Sequence, residues 1–142
     1  MITIRPIELH DAAIAASLAE ELGYPSTEAI MEARIRRLTA SAGHAVFVAE
    51  ENGIVLGWID LSVEQHLQSE PRARIGGLVV SEAARGQGIG AMLCRRAEDW
   101  GRELGLAKIM LTSRATRERA HAFYERDGYQ RVKTSLVFEK TL

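Results

Sequence analysis

Arg85-Gly86-Gln87-Gly88-Ile89-Gly90 sets three glycines at alternate positions behind an arginine. The stretch stands between an apolar run, residues 75–80, and a segment with Ile89, Met92, Leu93, Ala97 and Trp100 at helical spacing. Glycines in such a place let the backbone approach a ligand closely and take positive φ without a Cβ penalty. A helix starting there aims unpaired N–H groups and the positive end of its dipole outward. A pyrophosphate fits that arrangement, with Arg85 available for a charge-assisted contact. Residues 86–91 also satisfy G-x-G-x-x-G/A, but Ser81-Glu82-Ala83-Ala84 separates them from the strand. The next strand ends in Thr112-Ser113, where a dinucleotide site needs an acidic residue. No Gly-Lys-Ser/Thr follows, so a P-loop is excluded.

The elements that must position this loop can be read from period and punctuation. Ile2–Arg5 alternates like a short strand and Pro6 ends it. Asp11 is placed to cap a helix with Ile14, Leu18 and Leu22 inward, stopped at Gly23. Pro25-Ser26 opens a second helix through Ile30, Met31, Ile35 and Leu38. Asn52-Gly53, between residues 46–49 and 54–61, is the pair a type I′ hairpin prefers. Residues 64–73 are polar, contain Pro71 and read as a loop. Gly76-Gly77 inside the apolar run predicts a bulge or close backbone approach. Gly101 and Gly105 close the helix behind the glycine loop, and Ile109–Leu111 is a short strand. Thr116 is placed to cap a final helix that Gly128 stops. Residues 129–132 and 136–138 read as a closing hairpin. The strand–helix–strand unit over 75–111 requires a right-handed parallel crossover, whereas the hairpins are antiparallel. A mixed sheet with helices on both faces follows, an α/β class in one domain over residues 1–142.

Composition agrees. A length of 142 residues with 46% hydrophobic and 26% charged residues suits one globular core and excludes a disordered chain. No apolar run approaches the roughly 20 residues that span a bilayer. The N-terminus lacks the pattern of a signal peptide, and the single Cys94 excludes an internal disulfide, so a cytoplasmic protein is expected. Residues 1–84 hold six arginines against twelve carboxylates, a net of −6, while residues 85–131 carry a net of +4. The halves suit a cationic and an anionic ligand, or are solvated helix faces of differing sign. Arginines in 85–131 alternate with acids, which argues against a nucleic-acid surface. Cys94 falls in the helical apolar stripe and reads as core. His44 and His121 have no partner at metal-ligand spacing, so no metal is assigned.

Leu78-Val79-Val80, the connection after it, and Arg85 to Gly90 resemble motif A of the GNAT acetyltransferases, Gln/Arg-x-x-Gly-x-Gly/Ala. Thr112-Ser113 and residues 120–129, Ala-His-Ala-Phe-Tyr-Glu-Arg-Asp-Gly-Tyr, resemble the family's motif B. With the matching element order, the resemblance covers essentially the whole chain. It implies a single GNAT-like domain, its mostly antiparallel sheet holding a central parallel strand pair. It also implies acetyl-CoA as co-substrate, no metal, and transfer of the acetyl group to an amine in a ternary complex. The pantetheine arm would pair like an added strand with Leu78, Val79 and Val80. The pyrophosphate would lie on the N–H groups of Arg85, Gly86, Gln87, Gly88, Ile89 and Gly90. A backbone N–H near Val79 would polarise the thioester carbonyl.

The resemblance also suggests proton carriers. Tyr124 occupies the position of the family's general acid on the motif B helix, although a tyrosine beside Phe123 can also be packing. Some relatives place a glutamate on the motif A strand; here Arg72 and Arg74 stand there instead. Glu64, and His66 beside it, become the alternatives for the base, directly or through water, unless they are solvated loop residues. Ser113 matches a position that contacts the pantetheine arm, and capping a helix is an equal reading. The missing strand carboxylate keeps open a non-catalytic acyl-CoA-binding module. The expected partner is a small-molecule or peptide amine, not nucleic acid or membrane, and composition leaves monomer and homodimer equally open.

Overall fold

A mixed five-stranded sheet organises residues 1–111 in the computed structural model, which describes all 142 residues. The strands are β1 (Thr3–Pro6), β2 (His44–Glu51), β3 (Ile54–His66), β4 (Ser69–Val80) and β5 (Ile109–Met110), in spatial order β1-β2-β3-β4-β5. The first four are antiparallel; β4 and β5 are parallel. Asn52 and Gly53 take φ of 52° and 79°, the left-handed pair of a two-residue hairpin, and turn β2 into β3 as expected. The chain forms two compact units, Met1–Leu111 and Thr112–Leu142.

Three helices cover the sheet of the first unit. α1 (Ala12–Leu22) and α2 (Glu28–Thr39) pack on one face, and α3 (Ile89–Glu103) on the other. The period-2 pleat of β3 makes the division. Gly57, Ile59 and Leu61 face α3, where Ile89, Leu93, Cys94 and Ala97 are buried. Trp58 faces α1 and donates its indole N–H to the Ala15 carbonyl at 3.2 Å. That face holds Leu18, Ile35, Val48 and Val79. A Cβ on Gly57 would lie 2.7 Å from the Val79 carbonyl oxygen, so only glycine lets β3, β4 and Leu93 approach so closely.

Several local features differ from the sequence reading. Residues 64–73 are not a loop: β3 runs to His66 and β4 begins at Ser69. Pro71 is accommodated because the pairing shifts between Glu64 and His66, where its missing N–H breaks no ladder bond. Asp11 occupies the N-cap position of α1 as expected, but its side chain makes no capping hydrogen bond there. It closes a 3₁₀ turn, Leu9–Asp11, by accepting from the Glu8 N–H at 2.8 Å, and it binds the Arg5 guanidinium at 2.8 and 2.9 Å. The α2 cap is Thr27, whose hydroxyl accepts from the Ile30 N–H at 3.1 Å. Gly101 lies inside α3 facing Ala73, where a Cβ would make an ordinary 3.5 Å contact, and Gly105 at φ 75° ends the helix. The bulge expected at Gly76-Gly77 is present, since the register jumps from Asp60–Gly77 to Leu61–Ile75 and leaves Gly76 unpaired.

In the second unit α4 (Glu118–Arg126) follows an N-cap at Arg117, not Thr116, and Gly128 at φ 95° stops it. Ala120 and Phe123 are half-buried rather than core. The expected closing hairpin does not form: residues 129–142 carry no strand, and Leu136, Val137 and Phe138 are 81–90% exposed. Alternation alone could not make strands there, because two short strands without a third to pair or a face to cover are marginal. The parallel pair therefore ends the sheet instead of lying inside it.

Candidate active site

β4 is paired on both sides only in its first half. β5 stands in register with Ala73 and Arg74, and from Ile75 to Val80 no strand continues along that edge. The pleat decides which groups the open edge presents. The Ser81 N–H donates to the Leu56 carbonyl at 2.7 Å across β3–β4. Antiparallel bonding alternates, so with Val79 opposite Trp58 the Val79 N–H also turns toward β3. The N–H groups of Leu78 and Val80 then point to the open edge. The N–H groups near Val79 that face the open edge are thus those of its neighbours.

A short 3₁₀ turn, Glu82–Ala84, carries the chain from β4 to α3 and is pinned by buried Ala84. Gly86 and Gly88 follow at φ 85° and 77°, conformations that strain a residue with a Cβ. A Cβ at either would meet nothing within 4 Å, so backbone conformation and not crowding selects glycine. The first helical bond of α3 runs from the Met92 N–H to the Gly88 carbonyl at 3.1 Å. Ile89, Gly90 and Ala91 are left with N–H groups lacking intrahelical partners. No side chain caps this end and no acidic residue occupies its first turn. Arg85 is exposed, and its Nε donates to the Val80 carbonyl at 3.4 Å. Leu78, Val79 and Val80 are therefore joined to Arg85–Gly90 as one edge-and-loop surface.

Glu64 stands apart from that surface. It pairs with Arg72, six residues before Leu78, roughly 20 Å along an extended strand. Arg72 Nε donates to it at 2.7 Å, Arg74 approaches at 3.4 Å and His66 at 3.5 Å. The Arg72 hydrogen bond outweighs desolvation and holds the Glu64 carboxyl below its ordinary range. A carboxylate so held is a weaker proton acceptor.

Asp60, which the sequence reading passed over, lies closer. It sits opposite Gly77 on the α1 face of β3, half-buried. Burial pushes its carboxyl above the usual range, opposed only by the charge of nearby His44, with no hydrogen bond contributing. Nothing in the sequence marks Asp60, because its neighbours come from two other strands.

In the second unit Tyr124 is half-buried, with its ring edge-on to Phe123 at 5.1 Å and to Tyr129 at 5.8 Å. The Ser113 hydroxyl is buried and has no hydrogen-bond partner, and it does not cap α4, whose N-cap is Arg117. His121 Nε2 is 2.8 Å from the Arg114 carbonyl, and in the first unit His44 Nδ1 is 2.9 Å from the Ser41 hydroxyl. No helix is long and apolar enough to cross a membrane.

Comparison with known proteins gives this geometry a context. The aminoalkylphosphonate N-acetyltransferase of Salmonella typhimurium is 38% identical over 84 residues, 58% of this chain and 54% of that protein. N-alpha-acetyltransferase 30 of Schizosaccharomyces pombe is 32% identical over 61% of this chain and 58% of its own length. The chain thus spans a little over half the length of these relatives. The aminoglycoside N(6')-acetyltransferase type 1 of Klebsiella aerogenes is 27% identical over 98% of this chain and 96% of that one. Among solved structures, an aminoglycoside N-acetyltransferase in complex with CoA superposes with a TM-score of 0.90 at 16% identity. It covers 100% of this chain and 96% of its own, and shares the fold. The family model for acetyltransferase (GNAT) proteins matches residues 11–129, most of both units. On that match the chain belongs to the acetyltransferase (GNAT) family.

Proposed function

We propose that the chain is an N-acetyltransferase, one functional domain over residues 1–142, that moves an acetyl group from acetyl-CoA directly to an amine. The observation that carries this reading is the uncapped start of α3. Three N–H groups without helical partners follow two left-handed glycines, immediately beyond an unpaired strand edge. The residues fit the co-substrate's chemistry. Ile89, Gly90 and Ala91 offer donors to a pyrophosphate, and the open edge at Leu78 and Val80 offers backbone pairing to an amide-bearing arm. Arg85 can leave the Val80 carbonyl for a phosphate. A thioester supplies an activated acyl group, and the Leu78 or Val80 N–H would stabilise the oxyanion as the amine adds.

Proton movements complete the step. The amine attacks only when neutral, although a free alkylamine has a pKa of about 10.4. Tyr124 is the proposed donor to the departing thiolate. Glu64, ionised and clamped by two arginines, is poorly suited to take the amine's proton. Relatives named for aminoalkylphosphonates and aminoglycosides support a small amine acceptor. Binding without turnover is the competing reading, favoured by the absence of a carboxylate on β4 between Ile75 and Val80. Thiol release from acetyl-CoA in the presence of an amine panel separates them: acceptor-dependent release supports the transferase, and saturable binding with no release supports the binding module.

A further inference from the structure

Beside the open edge of β4, one patch of the sheet carries almost no side chains. Gly76 and Gly77 stand there in succession, Gly76 exposed. Behind them the opposite face is filled, with Gly57 against Leu93 and Ala73 against Gly101, so the α3 side of this part of β4 is closed to a reactant. Two residues of β3 border the bare patch on that side. A Cβ on Gly76 would come within 3.0 Å of Asp60 Oδ2, and one on Gly77 within 3.1 Å of the Trp58 ring. Both glycines are therefore needed to keep a carboxylate and an aromatic edge uncovered. Trp58 is fixed by its bond to Ala15, and Leu22, at the end of α1, reaches Gly77.

We infer that Asp60, with the Trp58 ring beside it, receives the ammonium group of the acceptor and takes the proton that nitrogen loses. This rests on the transferase reading above. The balance is simple. The ammonium gives one proton to the Asp60 carboxylate and becomes a neutral amine, whose lone pair forms the N–C bond. As the C–S bond breaks, the electron pair leaves on sulfur, and the second nitrogen proton ends, through the acid, on the thiolate. Asp60 then returns its proton to solvent. The surroundings suit this role better than those of Glu64. No arginine binds Asp60, and partial burial raises its proton affinity. The titratable groups on the same face of the adjoining strands are His44 on β2, opposite Ser62, and Arg74 on β4 beyond the bulge. α1 presents Leu22 and Leu18. The inferred acceptor is thus a primary amine that arrives charged.

The test uses the full chain, acetyl-CoA, and a panel of alkylamines, amino sugars and peptide amines read by thiol release. Asp60→Asn keeps the shape and removes the base. It should lower kcat/KM for the best amine by about 10²-fold or more, abolish the acidic limb of the pH profile, and leave acetyl-CoA affinity within twofold. Gly76→Ala leaves Asp60 in place but crowds its Oδ2, and should lower kcat/KM for the same amine severalfold at unchanged acetyl-CoA affinity. Near-wild-type kcat/KM in both variants, an unaltered pH profile in Asp60→Asn, or a parallel loss of acetyl-CoA binding would overturn the assignment. Wild-type chain that binds acetyl-CoA yet releases thiol with no amine overturns the transferase reading itself.

Discussion

The two halves of β4 are treated differently by the fold. In the first half β5 pairs with Ala73 and Arg74, α3 lays Gly101 on Ala73, and Glu64 on β3 is bound by two arginines. In the second half little is answered. The edge beyond Ile75 has no strand, the helix that follows has no cap, and Asp60 has a carboxylate without a cation bonded to it. Buried or aligned polar groups are ordinarily satisfied, so this contrast is why the proposed acetyl-CoA site is placed in the second half. The comparison also shows why residue type alone misleads. Glu64 and Asp60 lie four positions apart on one strand, yet their neighbours push their proton affinities in opposite directions.

The largest expected effect lies in the open half. Gly88→Asp puts a side chain where φ is 77° and a negative charge at the helix start. Acetyl-CoA affinity, read by calorimetry, should fall by at least about 10²-fold, the scale on which a lost set of charge-assisted bonds acts. Unchanged affinity would mean that the open half does not hold the pyrophosphate. Next is Tyr124→Phe, which keeps the ring contacts with Phe123 and Tyr129 and removes the hydroxyl. A drop in kcat of about 10²-fold or more, with acetyl-CoA affinity retained, is expected of a general acid. A kcat within threefold of wild type assigns Tyr124 to packing.

Changes in the closed half should touch stability instead. Glu64→Gln should leave kcat/KM within about threefold. Its wild-type carboxyl has a lowered folded pKa, so its stabilisation is full above the unfolded value near 4.3 and is lost as pH falls through the folded value. Being partly exposed, the pair contributes about 1 kcal/mol or less. Denaturation of wild type and variant should therefore differ at pH 7, and the gap should narrow as pH falls below about 4.3; a gap that does not narrow would contradict the ion-pair account. The smallest effect is Gly101→Ala. The new Cβ would meet Ala73 at 3.5 Å, an ordinary contact, and alanine in a helix interior gains about 0.5–1 kcal/mol. A fall in melting temperature would show that this packing is tighter than the distance implies.

Much of this was legible in the sequence wherever local chemistry decides the outcome. Asn52-Gly53 announces its hairpin because few other residues take two positive φ values in succession, and Gly86 and Gly88 announce the helix start for a related reason. Gly76-Gly77 signals its bulge because glycine weakens a regular strand. Residues 64–73 imitate a loop through polarity and Pro71, whereas Glu64 pairs with Arg72 and His66 with Ser69 as β3 turns into β4. Asp60 was invisible because its meaning depends on Gly77 and His44, which strand register brings from 17 positions ahead and 16 behind. Residues 129–138 show the converse, a strand pattern to which the second unit supplies no partner strand.

The central claim is that acetyl transfer occurs directly between two substrates bound together on this chain. Initial rates of thiol release, measured over a grid of acetyl-CoA and amine concentrations with the acetylated amine identified by mass, test it most directly. The account predicts release that requires both reactants and double-reciprocal lines that intersect. Parallel lines, the mark of a covalent acyl-enzyme, or no acetylated product at any concentration would contradict it.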